Sequence, residues 1–238
     1  MFHVPPEMFV LRQISLLFLI PAACAAQTQS VEFTEIQNGL RCTPRILSGS
    51  EPSSESAFRE LAAAGVKTIV SVDGIAPNVE AARKFGLRYV HIPIGYDGVP
   101  EIAALMLTRV VRECKGVIFV HCHHGKHRGP AAAAIAGIAD GVLNIKQAIQ
   151  FLKQAGTDDD YVGLWESVRN FVADTSGRKL PELVETAKVS STAQSMAQVE
   201  KLLKKLSSPD TKSPAEFHAD SCRQRHCVWC LQWSPLPH

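Results

Sequence analysis

His121-Cys-His-His-Gly-Lys-His-Arg-Gly-Pro, residues 121–130, decides how the chain is read. Ahead of it, Gly116-Val-Ile-Phe-Val-His (116–121) is a short apolar run of buried-strand type, and from Pro130 to Ala139 an alanine-rich helix is expected. A strand therefore delivers Cys122 into a turn, five residues separate it from Arg128, and a helix follows. Helix N-termini leave about four N–H groups unpaired and carry partial positive charge, so they hold anions. The same field lowers a cysteine thiol from ~8.5 to ~4–7 and makes it a nucleophile at neutral pH. A loop of this length can wrap its amides round the three oxygens of a phosphoryl group. Gly125 permits the positive φ such a nest needs, and Arg128 closes the ring with a bidentate fork that lysine cannot reproduce.

On either side of this segment, strand and helix signals alternate. Residues 45–50 read as a strand, and a helix opens after Ser53 or Ser54 and stops at Gly65. Lys67–Asp73 is a β-branched strand, Asn78–Phe85 a helix ending at Gly86, and Leu87–Ile94 another strand. Gly95–Val99 is a loop, Pro100 leads a helix to about Cys114, and helical patterns at 144–155 and 160–173 complete the unit. Strands apolar on both faces, alternating with helices, imply an α/β fold with a central, largely parallel sheet flanked by helices. Such sheets bind ligands at the carboxyl ends of their strands, where Asp73, the 95–99 loop and the segment after His121 all fall.

His121-Cys122-x-x-Gly125-x-x-Arg128 resembles the signature loop of the cysteine-dependent protein tyrosine and dual-specificity phosphatases. The resemblance covers about residues 40–172: Leu47-Ser-Gly-Ser-Glu-Pro looks like their opening strand and turn, and Tyr89-Val-His-Ile-Pro-Ile-Gly-Tyr-Asp (89–97) like the strand and loop carrying their general acid. It implies hydrolysis of phosphomonoesters, on protein tyrosine, serine or threonine or on a small anionic phosphoester. Cys122 would attack phosphorus, Arg128 and the amides from His123 onward would stabilise the transition state, and Asp97 would protonate the leaving oxygen. His123, His124, Gly125, Lys126 and His127 would surround the substrate phosphate, and His121 would orient the loop. No metal or cofactor is required.

Two residues depart from the family pattern. Gly129 stands where a serine or threonine hydroxyl commonly helps release the thiolate, which keeps a weak or inactive phosphate-binding module as the alternative. Lys126 resembles the inositol-lipid branch, suited to multiply phosphorylated substrates. Asp73 rivals Asp97 as the acid, since it also ends a strand at the same edge. Four of the nine histidines lie between 121 and 127, and His124, His127 and Cys122 have the inventory of a zinc site; adjacent residues of one loop, however, cannot all point inward. A rhodanese-like sulfur transferase also uses a loop cysteine, but Arg128 suits phosphate better.

Ile14–Ala23 is a short apolar stretch, preceded by Arg12 and followed by Cys24-Ala-Ala. Residues 1–26 read as a secretory signal peptide, too short to span a bilayer, and the mature chain as exported to the periplasm or beyond, without a transmembrane span. Lipidation of Cys24 is the alternative. With the phosphatase-like domain at 40–174, two amphipathic helices are expected over 178–206, one carrying Leu180, Leu183, Val184 and Ala187 and the other Met196, Val199, Leu202, Leu203 and Leu206. Residues 207–238 read as a polar linker and a tail whose Cys222, Cys227 and Cys230 match no zinc template and suit a local disulfide. Cys42 and Cys114 read as buried apolar residues, either of which in an oxidising compartment is a candidate to pair with Cys122.

The composition fits this reading. The chain has 238 residues, 46% hydrophobic and 20% charged, enough to bury a core without disulfides. A net charge of +2 argues against nucleic acid as partner.

Overall fold

The computed structural model describes residues 29–189 and, beyond them, Val199 and Leu202. A six-stranded sheet forms the centre. Its strands are β1 (Gln29–Ser30), β2 (Leu40–Thr43), β3 (Ile46–Ser50), β4 (Val66–Ser71), β5 (Arg88–His91) and β6 (Val117–Cys122), in the order β1-β2-β3-β6-β4-β5. The four from β3 to β5 in that order run parallel, whereas β1 and β2 add an antiparallel edge. The sequence did not announce this edge, because β1 and β2 are too short to show a period.

Helices α1 (Glu55–Ala63), α2 (Val79–Arg83), α3 (Glu101–Glu113), α4 (Arg128–Ala139), α5 (Ile145–Gln154) and α6 (Val162–Arg169) cover both faces. Their starts follow the capping chemistry expected of them. Ser54 accepts from Ala57 N, Asn78 from Ala81 N, and Asn144 forms a reciprocal capping box with Gln147. α4 begins two residues before Pro130, so Arg128 belongs to its first turn. From Arg128 to Gly137 every residue of α4 is buried, as befits a helix apolar on all sides and packed among α3, α5 and α6.

Alternation along β6 sorts the core. Ile118, Val120 and Cys122 face the α3–α6 layer, while Phe119 packs with Leu47, Ile69, Tyr89 and the α1 residues Phe58 and Leu61. Each such side chain contributes about 1.5–3 kcal/mol on burial. The strand that fixes the sheet's centre thus aims Cys122 at the start of α4 and His121 at the opposite face.

The first of the two helices expected after the domain does not form. Residues 178–189 run without helix, and Val184 O accepts from His91 N at the free edge of β5 (2.9 Å). Backbone pairing with an edge strand and the Pro181 ring outweigh the helical spacing of Leu180, Leu183 and Val184. Of the second, Val199 and Leu202 are helical, and the rest lies outside the described residues, as do residues 1–26, the linker and the cysteine-containing tail. Among the described residues no helix is long and apolar enough to cross a membrane.

Cys42, Cys114 and Cys122 are free thiols. Cys114 caps α3 just ahead of Val117, and Cys122 ends β6 five residues later, about 16 Å away at ~3.3 Å per residue. Cys42 is level with Ile118 and Phe119 and lies two strands from β6. A disulfide needs Cα atoms within about 7 Å, so the expected pairing of either with Cys122 is ruled out in this fold. Burial also pushes the Cys42 thiol far above its usual range, leaving it inert.

Candidate active site

Cys122 is the last residue of β6, and its partner in the ladder is Ser50. The loop that follows is held by its carbonyls. His123 O accepts from Glu51 N (3.3 Å), His124 O from Asn38 Nδ2 (2.7 Å) and Lys126 O from Thr157 Oγ1 (2.7 Å). In a trans peptide the carbonyl and the next N–H point opposite ways. Three carbonyls tied outward therefore turn the amides of His124, Gly125 and His127 inward. Among the described residues, Gly125 N and Lys126 N donate to no protein group.

Gly125 has φ 75°, and a β-carbon there would lie 2.4 Å from Gly49 C and 2.5 Å from Ser50 N. Both the conformation and the close approach to β3 require glycine.

Arg128, buried in the first turn of α4, places Nη1 3.3 Å from Asp73 Oδ1 at the carboxyl end of β4. Asp73 also accepts from Gly74 N (2.6 Å). The Tyr96 ring lies over the guanidinium, 4.5 Å from Cζ to the centroid. Tyr96 stacks on Tyr161 at 4.7 Å, and the His127 ring sits 4.6 Å from Tyr161. This aromatic group bridges the 95–99 loop, the cysteine loop and α6.

Asp97 is exposed on the loop that carries Tyr96. Its backbone rests on α6, where a β-carbon on Gly163 would fall 1.8 Å from Asp97 O, and Val99 N donates to Ser167 Oγ (2.9 Å). The two rival carboxylates thus differ in kind: Asp73 is committed to a buried guanidinium, and Asp97 is exposed on its loop next to Tyr96.

The four histidines separate. His123 is buried, with Nδ1 3.2 Å from Glu51 Oε2. His124 meets it edge-on and is half-buried, as is His127, whose Nδ1 accepts from Asp158 N (3.3 Å). Lys126 is exposed at the rim. Among the described residues no three His, Cys, Asp or Glu side chains converge as a metal site.

His121 lies behind the loop, Nε2 3.1 Å from Tyr89 Oη, between the Tyr89 and Phe119 rings. Complete burial pushes its imidazolium down to about 4, so it is neutral at neutral pH. The unfolded chain takes up this proton near pH 6.5 and the folded one only near pH 4. The contribution to stability is complete above pH 6.5 and is lost as the pH falls toward 4, about 3 kcal/mol in all. Denaturant unfolding at pH 7, 5.5 and 4 should show this loss. His121→Phe should flatten it, leaving a smaller slope from His91, which burial also holds below its ordinary value.

Ser48 and Glu51 were not singled out from sequence, nor were Tyr96 and Tyr161. Ser48 Oγ is fully buried, without a hydrogen-bond partner among the described residues, and 3.4 Å from where a β-carbon on Gly129 would be. The same point is 3.1 Å from Cys122 N. A hydroxyl from β3 therefore stands next to the position where the loop itself has none. Only the pairing of strands reveals it.

No protein-family model and no curated protein sequence matches the chain. Solved structures do. TpbA of P. aeruginosa superimposes with a TM-score of 0.53 at 24% identity, over 63% of this chain and 92% of that one. A cysteine-to-serine variant of TpbA in complex with phosphotyrosine gives 0.52 at 23%, over 65% and 94%. A kinase-associated phosphatase with its catalytic-site cysteine replaced by serine gives 0.44 at 17%, over 52% and 83%. With its parallel sheet, its cysteine at the end of the central strand and its arginine in the first turn of the next helix, the chain has the fold of the cysteine-dependent, dual-specificity-type phosphatases.

Proposed function

We propose that the chain hydrolyses phosphomonoesters through a phosphocysteine intermediate on Cys122. One observation carries this reading: in the loop between Cys122 and Arg128 the carbonyls of His123, His124 and Lys126 are bound by Glu51 N, Asn38 Nδ2 and Thr157 Oγ1, which leaves the opposite, amide side of those peptides to an anion. That is an anion cradle with a sulfur at one end and a guanidinium at the other.

The Cys122 thiolate attacks phosphorus in line and the ester P–O bond breaks. Asp97 gives its proton to the departing oxygen. Water then attacks the phosphocysteine, Asp97 takes up the water's proton, and the P–S bond breaks to restore the thiolate. Arg128 and the amides from His123 to His127 neutralise the equatorial oxygens throughout. Ser48, whose hydroxyl lies 3.4 Å from where a β-carbon on Gly129 would be, is the side chain we assign to the departing sulfur, which it would meet by rotating toward it. Asp73, bonded to Arg128, orients the fork instead of supplying the proton.

The phosphotyrosine complex of the TpbA variant supports phosphotyrosine as the first substrate to try. The exposed Lys126, beside His124 and His127, favours a second class, substrates bearing a further phosphate such as inositol phosphates. The apolar stretch before Cys24 supports export of the mature chain.

The test is capture of the intermediate. Rapid acid quench during p-nitrophenyl phosphate turnover should leave one phosphoryl group on the Cys122 peptide, as mass spectrometry would show. Phosphate found on any other residue, or no turnover, overturns the reading. For the acid, Asp97→Asn should reduce kcat by about 10²–10³-fold and erase the basic limb of the pH–rate profile. If Asp73→Asn erases that limb and Asp97→Asn does not, Asp73 is the acid.

A further inference from the structure

After α6 the chain turns back across α3, and residues 184–187 reach the β5 edge of the sheet. Arg178 bonds Glu101 (3.0 Å), Arg109 Nη1 donates to Leu180 O (3.3 Å) and Pro181 O (2.8 Å), and Arg83 pairs with Glu185 (2.5 Å). These contacts set residues 178–187 as a strap against α3, α2 and β5. At its end the strap grips one residue twice. His91 N donates to Val184 O (2.9 Å), and the His91 ring receives Ala187 N–H on Nδ1 (3.1 Å).

His91 is the last residue of β5 and is fully buried. Its other ring nitrogen, Nε2, lies 2.8 Å from Asp73 O. The Ala187 amide offers a proton to Nδ1, so Nδ1 is an acceptor and the ring proton sits on Nε2, where it donates to the Asp73 carbonyl. Burial keeps the ring neutral, which preserves this tautomer. Asp73 in turn holds Arg128 through its carboxylate. A line of bonded groups thus runs from Ala187 N–H through the His91 ring and Asp73 to the Arg128 guanidinium.

We infer that His91 is a positioning residue for the anion cradle, and that the strap residue Ala187 sets it by fixing which ring nitrogen carries the proton. The strap would otherwise need only to cover the β5 edge, for which the Val184 bond suffices. The second contact goes to a ring that faces the site. If the Nδ1 bond is lost, either nitrogen can hold the proton, and a ring protonated at Nδ1 turns a lone pair toward Asp73 O. The carbonyl then has no donor, the segment after β4 that carries Asp73 loosens, and Arg128 loses its fixed bearing. A guanidinium free to wander binds phosphate less well, because the ordering is then borne by the ligand.

This rests on the cradle being a phosphate site, as argued above, and the test separates the two. The full chain is compared with A187P, which removes the amide proton and also fixes φ at that position, with H91N, whose shorter amide keeps an acceptor near Ala187 but brings no donor within reach of Asp73, and with H91Q, which reaches Asp73 with an N–H. Inorganic phosphate is the probe, as a competitive inhibitor of p-nitrophenyl phosphate hydrolysis. A187P and H91N should each raise its Ki about tenfold, while H91Q recovers most of that loss. The Arg128 Nε–H resonance, which needs no turnover, should broaden in A187P and H91N. Unchanged Ki and unchanged Arg128 resonance in both overturn the inference. Equal losses in H91N and H91Q also overturn it, because the ring would then merely fill space. A wild-type protein that never turns over p-nitrophenyl phosphate defeats the phosphatase reading alone; the Arg128 resonance in A187P then still decides the positioning.

Discussion

Cys122→Ser should abolish p-nitrophenyl phosphate turnover, by at least about 10⁴-fold, while inorganic phosphate still binds, as calorimetry would show. The first half follows from the nucleophile. A cysteine sulfur is intrinsically far more nucleophilic than a serine hydroxyl, which stays weak unless a neighbouring base activates it. A 10⁴-fold loss corresponds to about 5.5 kcal/mol of transition-state stabilisation, an ordinary figure for removing a covalent route. The second half follows from how the loop is built. Its shape depends on Glu51 N, Asn38 Nδ2 and Thr157 Oγ1 holding three carbonyls, on Gly125 against β3, and on the Asp73–Arg128 pair. None of these involves the sulfur. Turnover in the variant within tenfold of wild type sinks the nucleophile. Loss of phosphate binding as well means the sulfur holds the cradle together, which the bonding pattern contradicts.

Much of this arrangement was legible in the sequence, because the decisive signals are local. A β-branched run, a cysteine, a glycine three positions on and an arginine ahead of an apolar helix are neighbours in the chain, and their mutual geometry is set within one turn. The helix starts at Ser54 and Asn78 were equally local, each a side-chain oxygen meeting an amide three residues on. What was missed depends on which strand lies beside which. Ser48 comes next to Gly129 only because β3 and β6 pair in register. Tyr161 reaches Tyr96 only because α6 supports the 95–99 loop. The strap misled for a related reason: Leu180, Leu183 and Val184 show helical spacing, but Pro181 and an open sheet edge offered the backbone a better set of partners. Asp73 was visible as a strand-end carboxylate, yet its link to Arg128 spans 55 residues and its link to His91 spans 18. Sequence shows such residues as candidates, and topology assigns their work.

Arg128→Lys should lower kcat/KM by about 10³-fold although the charge is retained. Two features of the site use the shape of the group more than its sign. Nη1 meets Asp73 at 3.3 Å while the planar face lies 4.5 Å under the Tyr96 ring. An ammonium is a point charge, with no second edge to hold a phosphoryl oxygen while the first holds a carboxylate, and no flat face for the ring. Losing a preorganised donor to developing oxyanion charge costs about 10²–10³-fold, and a fork supplies more than one. The buried partner adds to this. With both side chains about 5% exposed, a lysine that cannot reach Asp73 leaves a carboxylate in a site that repels phosphate. Asp73→Asn in the Arg128→Lys background should therefore recover part of the loss, although in the wild-type background the same change weakens phosphate binding. Kinetics of the two single variants and the double variant measure that coupling. A lysine variant within tenfold of wild type means that positive charge alone serves the transition state. The fork, the ring above it and the carboxylate behind it would then belong to the packing of α4, and the cradle would be an anion site whose arginine has no special task.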